Sequence, residues 1–137
     1  MPAITATASV INNDNAYTTS IEIHQHQLLA DEPLKSGGED LGPAPGDYLC
    51  AALASCTAIT LRMYSQRKNW NVGEIKIKVD LIKDGQQNIF NCEIECKGDL
   101  TKEQLERLAV ISDACPVHKL LKKPNEIVTT LRQPISL

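Results

Sequence analysis

The stretch Tyr48–Ala58 narrows most what this chain can become. It reads Tyr-Leu-Cys-Ala-Ala-Leu-Ala-Ser-Cys-Thr-Ala, apolar or small at nearly every position, and predicts the first half of a helix over about 47–68. A surface helix shows one apolar stripe to a core, whereas a helix apolar on every side is buried on every side. Its small residues Ala51, Ala52, Ala54 and Ala58 permit close approach of other backbones. Asp47 suits the first turn, where unpaired N–H groups and the helix dipole favour a carboxylate. Beyond Leu61 the helix turns polar, and Arg62, Arg67 and Lys68 suit its C-terminal end. A chain of 137 residues fits one domain, 1–137, or one subunit whose core a partner completes.

Composition excludes several classes of function. The net charge is −3, and no long basic block supplies contacts to phosphates, which argues against a nucleic-acid binder. The N-terminus Met-Pro-Ala-Ile-Thr-Ala-Thr lacks the basic start and apolar core of a secretion signal. No apolar run reaches the roughly 18 residues of a membrane span. The expectation is therefore a cytoplasmic protein without membrane partners. Five cysteines, an odd number, then imply thiols rather than a disulfide framework, so that any disulfide is conditional.

Around the long helix the chain predicts an α+β pattern. Residues 3–12 and 17–30 read as strands, with Ile21 and Ile23 alternating with polar neighbours. The Pro- and Gly-rich 31–47 is a loop. Ile75, Ile77, Val79 and Leu81 alternate strictly, and the alternation returns in Phe90-Asn91-Cys92-Glu93-Ile94-Glu95-Cys96. With Gly85-Gln86-Gln87 between them, the two runs predict an antiparallel hairpin with one wet face. Thr101 and Gln104 form a capping-box pattern for a helix ending near Ser112 or Asp113. A short helix begins at Cys115, with Pro116 at its favoured first position. A last strand is expected over Glu126–Arg132.

The cysteines divide by context. Cys92 and Cys96 lie on one strand face, about 13 Å apart and too far for a disulfide. They read as small core residues, and zinc is a poor alternative without a second clustered pair. Cys50 also reads as core. Cys56, mid-helix between Ser55 and Thr57, is either core or reactive, and it becomes reactive only where a cation or a donor stabilises its thiolate. Cys115 stands at a helix N-terminus, where free N–H groups favour a thiolate, with His118 three residues on; its plainer reading is a weak cap. A buried helix thiol and a thiol at a helix start can form a redox pair, one attacking an oxidant and the other resolving it. His24 and His26 share a strand face without a third metal ligand, and Gly37-Gly38 lacks the following motif of a phosphate loop.

Two blocks carry a family resemblance that spans nearly the whole chain. The first is Gly42-Pro43-Ala44-Pro45-Gly46-Asp47-Tyr48-Leu49-Cys50-Ala51-Ala52-Leu53-Ala54-Ser55-Cys56-Thr57-Ala58-Ile59-Thr60-Leu61-Arg62, and the second is Ala114-Cys115-Pro116-Val117-His118. They resemble the two motifs of the OsmC/Ohr family, the osmotically inducible and organic hydroperoxide resistance proteins. The loop with Asp31-Glu32-Pro33 and Gly37-Gly38 looks like that of its OsmC-like redox branch. The resemblance implies an OsmC-like α+β fold, with antiparallel sheets around a long central helix, in an intertwined homodimer. It implies a thiol peroxidase acting on organic hydroperoxides without metal, flavin or other cofactor. Cys56 would form the sulfenic acid and Cys115 would close the Cys56–Cys115 disulfide, which a dithiol such as a lipoylated protein reduces. Asp47 stands where the family's best peroxidases have a glutamate. The arginine that pairs with it there has no counterpart, because Lys35 is the only Lys or Arg before Arg62. Lys35 is then the candidate for binding peroxide, as a point charge rather than a bidentate fork, and Arg62, six residues past Cys56, is expected to point elsewhere. The alternatives are a thiol sensor without useful turnover and a dimer that binds a small ligand in an apolar pocket.

Overall fold

The structure is a computed structural model that describes residues 3–11 and 16–134. Its order is β1 (Thr7–Val10), β2 (Thr19–Ile23), β3 (His26–Ala30), a 3-10 turn (Leu34–Ser36), α1 (Pro45–Lys68), β4 (Ile75–Asp84), β5 (Gln87–Cys96), α2 (Lys102–Ser112) and α3 (Pro116–Lys122). The fold is mixed α+β, as expected. It divides into two compact units, Met1–Ala54 with Lys78–Glu93, and Ser55–Ile77 with Ile94–Leu137.

In the first unit β1, β2 and β3 form an antiparallel sheet in that order, with Ala8 opposite Ile21 and Ile21 opposite Leu28. The expected strand over 17–30 is two strands. The chain reverses at His24, whose φ of 54° is left-handed, and Ile23 pairs with His26. His24 and His26 therefore do not share a strand face: one makes the turn and the other opens β3. The first strand is shorter than expected, and residue 12 lies outside the described residues. After β3, buried Asp31 gathers the loop: its carboxylate accepts from the Thr18 hydroxyl at 2.9 Å, Glu32 N–H at 2.7 Å and Leu41 N–H at 3.2 Å. The Tyr48 hydroxyl donates to Leu29 O at 2.6 Å and ties the first turns of α1 to the end of β3.

In the second unit the core is Leu61 of α1, Val72 and Leu108 of α2, with Tyr64, Trp70, Ile75, Ile77, Leu100 and Ile111 packed against it. The connection after α1 passes close to the one before α2. Gly98 N–H donates to Val72 O at 2.8 Å, and a Cβ at Gly98 would run into Asn71 O, so only glycine fits. The capping box of α2 is complete: Gln104 N–H donates to Thr101 Oγ1 at 3.1 Å, and Thr101 N–H donates to Gln104 Oε1 at 2.9 Å.

β4 and β5 pair as expected, turning at Gly85, whose φ of 63° is left-handed. Burial departs from expectation. Cys92 is exposed and Cys96 and Cys50 are half-buried, so none is a fully buried core residue in the single chain. α1 is likewise covered on one stripe only, Leu53, Thr57, Leu61 and Ser65, while Leu49, Ile59 and Met63 are exposed. Spacing by four explains the stripe; a single chain has too little apolar surface to wrap the rest. Residues 126–132 form no strand. Ile127, Val128 and Leu131 are exposed, and an alternating pattern makes a strand only where a neighbouring strand takes its hydrogen bonds.

Candidate active site

The second unit brings Cys56 and Cys115 together. Cys56 sits mid-way along α1, half-buried, on the turn next to buried Thr57. Cys115 is the N-cap of α3 and wholly buried, and its Sγ accepts the N–H of His118 at 3.5 Å. Pro116 at the first helical position needs no N–H partner there, so the local sequence Cys-Pro-Val-His starts the helix and aims its free amides at the sulfur.

The two thiols are free and close enough that each shifts the ionisation of the other. Burial pushes the Cys56 thiol up, and neighbouring Cys115 adds to that; the Val117 N–H and the Thr60 hydroxyl offset it in part. Burial also works against a Cys115 thiolate. There, however, the Cys56 thiol, the His118 N–H, the Thr57 hydroxyl and the Val117 N–H together hold the Cys115 thiol below the ordinary range. Such a pair can pass a proton between its sulfurs and can close to a disulfide on oxidation. His118 Nε2 lies 3.7 Å from an Asp113 carboxylate oxygen.

This geometry suits a thiol-based redox family, and the family model described as "OsmC-like protein" matches residues 37–130, more than half of the chain. The chain belongs to the OsmC-like family. Solved structures agree in fold with this OsmC-like protein. An OsmC-like protein from Mycoplasma pneumoniae is 17% identical at a TM-score of 0.67, with 88% of each chain covered. A Legionella pneumophila protein described as an organic hydroperoxide resistance protein OsmC, predicted redox protein and regulator of sulfide bond formation is 18% identical at a TM-score of 0.61, covering 89% of this chain and 92% of that one. An organic hydroperoxide resistance protein from Elizabethkingia anophelis is 19% identical at a TM-score of 0.63, with 89% of each covered. No curated protein matches the chain significantly.

The other candidate residues of the OsmC-like protein lie in the first unit. Asp47 is exposed in the first turn of α1, and its carboxylate accepts Ala44 N–H at 2.9 Å, which is the reach-back half of a capping box. Lys35 is exposed in the 3-10 turn. Arg62, in the second unit, is engaged by Gly73: its guanidinium donates to Gly73 O at 2.5 Å, and its charge partly offsets the burial that raises the Cys96 thiol. Sequence reasoning named neither Thr60 nor the Val117 amide as a donor to the pair. Thr60 follows Cys56 by four residues, so helical spacing already puts both on one face. No group of three metal-ligating side chains occurs among the described residues, and no helix there is long and apolar enough to cross a membrane.

Proposed function

We propose that this OsmC-like protein is a thiol peroxidase for organic hydroperoxides, with Cys56 and Cys115 as its redox pair. The observation that supports this most is the pairing of a free, half-buried thiol on α1 with a free, buried thiol at the start of α3, near enough to shift one another's ionisation. Family membership, and neighbours named organic hydroperoxide resistance proteins, favour a redox stress role in general.

Cys56, the more accessible sulfur, attacks the terminal oxygen of the hydroperoxide. The O–O bond breaks, the sulfur becomes a sulfenic acid, and the alkoxide takes a proton and leaves as an alcohol. Cys115 Sγ then displaces hydroxide from the Cys56 sulfur, giving the disulfide and water. A dithiol, in the proposal a lipoylated protein, reduces the disulfide by exchange and is itself oxidised. No metal or organic cofactor enters the cycle. Asp47 is proposed as the carboxylate and Lys35 as the peroxide-binding cation that the family's motif calls for, and the active form as a homodimer.

Stoichiometric cumene hydroperoxide added to the reduced protein, followed by intact and peptide mass spectrometry, tests the cycle. The expected product is a Cys56–Cys115 disulfide, absent from Cys56→Ser and Cys115→Ser and reversed by dihydrolipoamide. Unmodified thiols after the same treatment would sink the proposal. The raised Cys56 thiol favours a second reading, in which the pair is an oxidation sensor that forms the disulfide without useful turnover. Steady turnover with hydroperoxide and a dithiol separates the two.

A further inference from the structure

Past Arg62 the end of α1 builds a groove that the thiol pair does not use. Asn69 takes a left-handed φ of 56° and turns the chain back, and Trp70 N–H donates to Ser65 O at 2.9 Å. That reversal sets the Trp70 ring against Tyr64, with centroids 5.5 Å apart at 76°, an edge-to-face pair. Both rings rest on the core of Leu61, Val72 and Leu108, which holds them in place. The other wall is α2, whose capping box fixes its start. Between the walls lies a groove of about 440 Å³, lined by Tyr64, Trp70, Thr101, Glu103, Gln104 and Arg107, all of the second unit. That volume falls within the range of small-molecule sites.

Charge at this groove is unbalanced. Arg107 Nε donates to the Tyr64 hydroxyl at 3.1 Å, and its guanidinium carbon lies 5.9 Å from the centre of the Tyr64 ring. Lys68 Nζ lies 5.7 Å from the same centre. Neither cation has a carboxylate partner among the described residues. A ring face attracts a cation without neutralising it. A guanidinium carries its N–H donors in a planar fork, so the bond from Nε leaves the edge of Nη1 and Nη2 for a second acceptor. The Tyr64 oxygen, while accepting from Arg107, keeps its own proton to donate. A carboxylate is the acceptor that such a fork matches bidentately. Glu103, in the first turn of α2, lines the same groove, and its charge weighs against a more highly charged anion such as phosphate. We propose that the groove binds a small aromatic monocarboxylate, with its carboxylate on the Arg107 guanidinium and the Tyr64 hydroxyl and its ring against Trp70. The site stands apart from the peroxidase reading, since neither thiol of the redox pair lines it.

Trp70 is the single tryptophan of the chain, so its indole N–H gives one assignable proton–nitrogen NMR signal. Titration of the full chain, labelled with nitrogen-15, with 2-naphthoate is expected to move that signal saturably. The expected Kd is on the order of 1 mM, the ordinary reach of a ligand of this size. The neutral 2-naphthamide keeps the rings and loses the charge, whereas inorganic phosphate keeps charge and loses the rings. Each is expected to bind at least about tenfold more weakly than the acid. Arg107→Gln is expected to weaken 2-naphthoate about tenfold, the worth of one charged hydrogen bond, and to leave the amide's affinity unchanged. Arg107 is exposed, and the backbone signals of the same spectra report that the variant keeps its fold. A Trp70 signal that does not move or does not saturate overturns the proposal. Equal affinity for acid and amide, or full affinity in Arg107→Gln, overturns the role of the cation and the proposal with it. Phosphate binding as tightly as the acid makes the groove a site for inorganic anions and overturns the aromatic ligand.

Discussion

At the scale of single residues, Asp31 shows how one buried carboxylate organises a loop that the sequence presents as a bare Pro- and Gly-rich connection. Burial alone would raise its pKa, but hydrogen bonds from Glu32, Leu41, Thr18 and Glu39 outweigh it and hold the carboxyl below the ordinary value of 3.8. A group with a lowered folded-state pKa stabilises the fold above its unfolded pKa. That contribution is lost as pH falls through the folded value. Asp31→Asn is therefore expected to lower the urea midpoint at neutral pH. Between about pH 5 and about pH 3 the variant should then lose less stability than the wild type. Parallel pH dependence in the two proteins would remove Asp31 from the acid-sensitive groups. Nothing in the spacing of Asp31, Thr18 and Leu41 announces this arrangement, because its partners come from both sides of β3 and from the far end of the loop.

At the scale of elements, legibility follows the range of the interactions that make each element. The cap of α2 depends on Thr101 and Gln104 alone, and that of α3 on Cys115, Pro116 and His118, so both helix starts were readable within four residues. Thr101→Ala is expected to cost about 1 kcal/mol, read as a lower urea midpoint at unchanged m-value. An unaltered midpoint would mean that packing of Leu108 and Ile111 holds α2 without its cap. The hairpin of β2 and β3 was not readable, because His24 takes a left-handed conformation without the Gly or Asn that usually signals one. The expected strand over 126–132 failed for a different reason. Alternation states which side chains share a face, but a ladder needs a neighbour, and among the described residues none pairs with this segment. Cys92 repeats that lesson, since its pattern assigned it a face and could not say whether anything covers that face. The thiol pair itself lay between these cases. Each cysteine's local setting was visible, whereas their coming together and the influence of Thr60 and Val117 depend on how α3 meets α1 within the second unit.

At the scale of the whole molecule, the apolar circumference of α1 is the feature the single chain leaves unfinished. Leu53, Thr57, Leu61 and Ser65 are covered, while Ile59 at 59% and Met63 at 51% exposure flank an apolar groove with Ala58, Arg62 and Ile75. Contiguous exposed apolar surface on a folded chain marks an interaction site. In the proposed homodimer, a second copy is the occupant that finishes the burial which the Tyr48–Ala58 sequence demands. Each subunit would then present the same face to its partner, so one substitution alters the interface twice. Ile59→Glu with Met63→Glu places four carboxylates in such an interface and removes nothing from the core of the single chain. Light scattering coupled to size exclusion is expected to give a dimer mass for the wild type at tens of micromolar. The double variant is expected to give a monomer, or an unfolded chain by circular dichroism if the monomer cannot stand alone. A dimer of unchanged stability in the variant would move the interface off this face of α1, and a monomeric wild type would leave the exposed groove to a different partner.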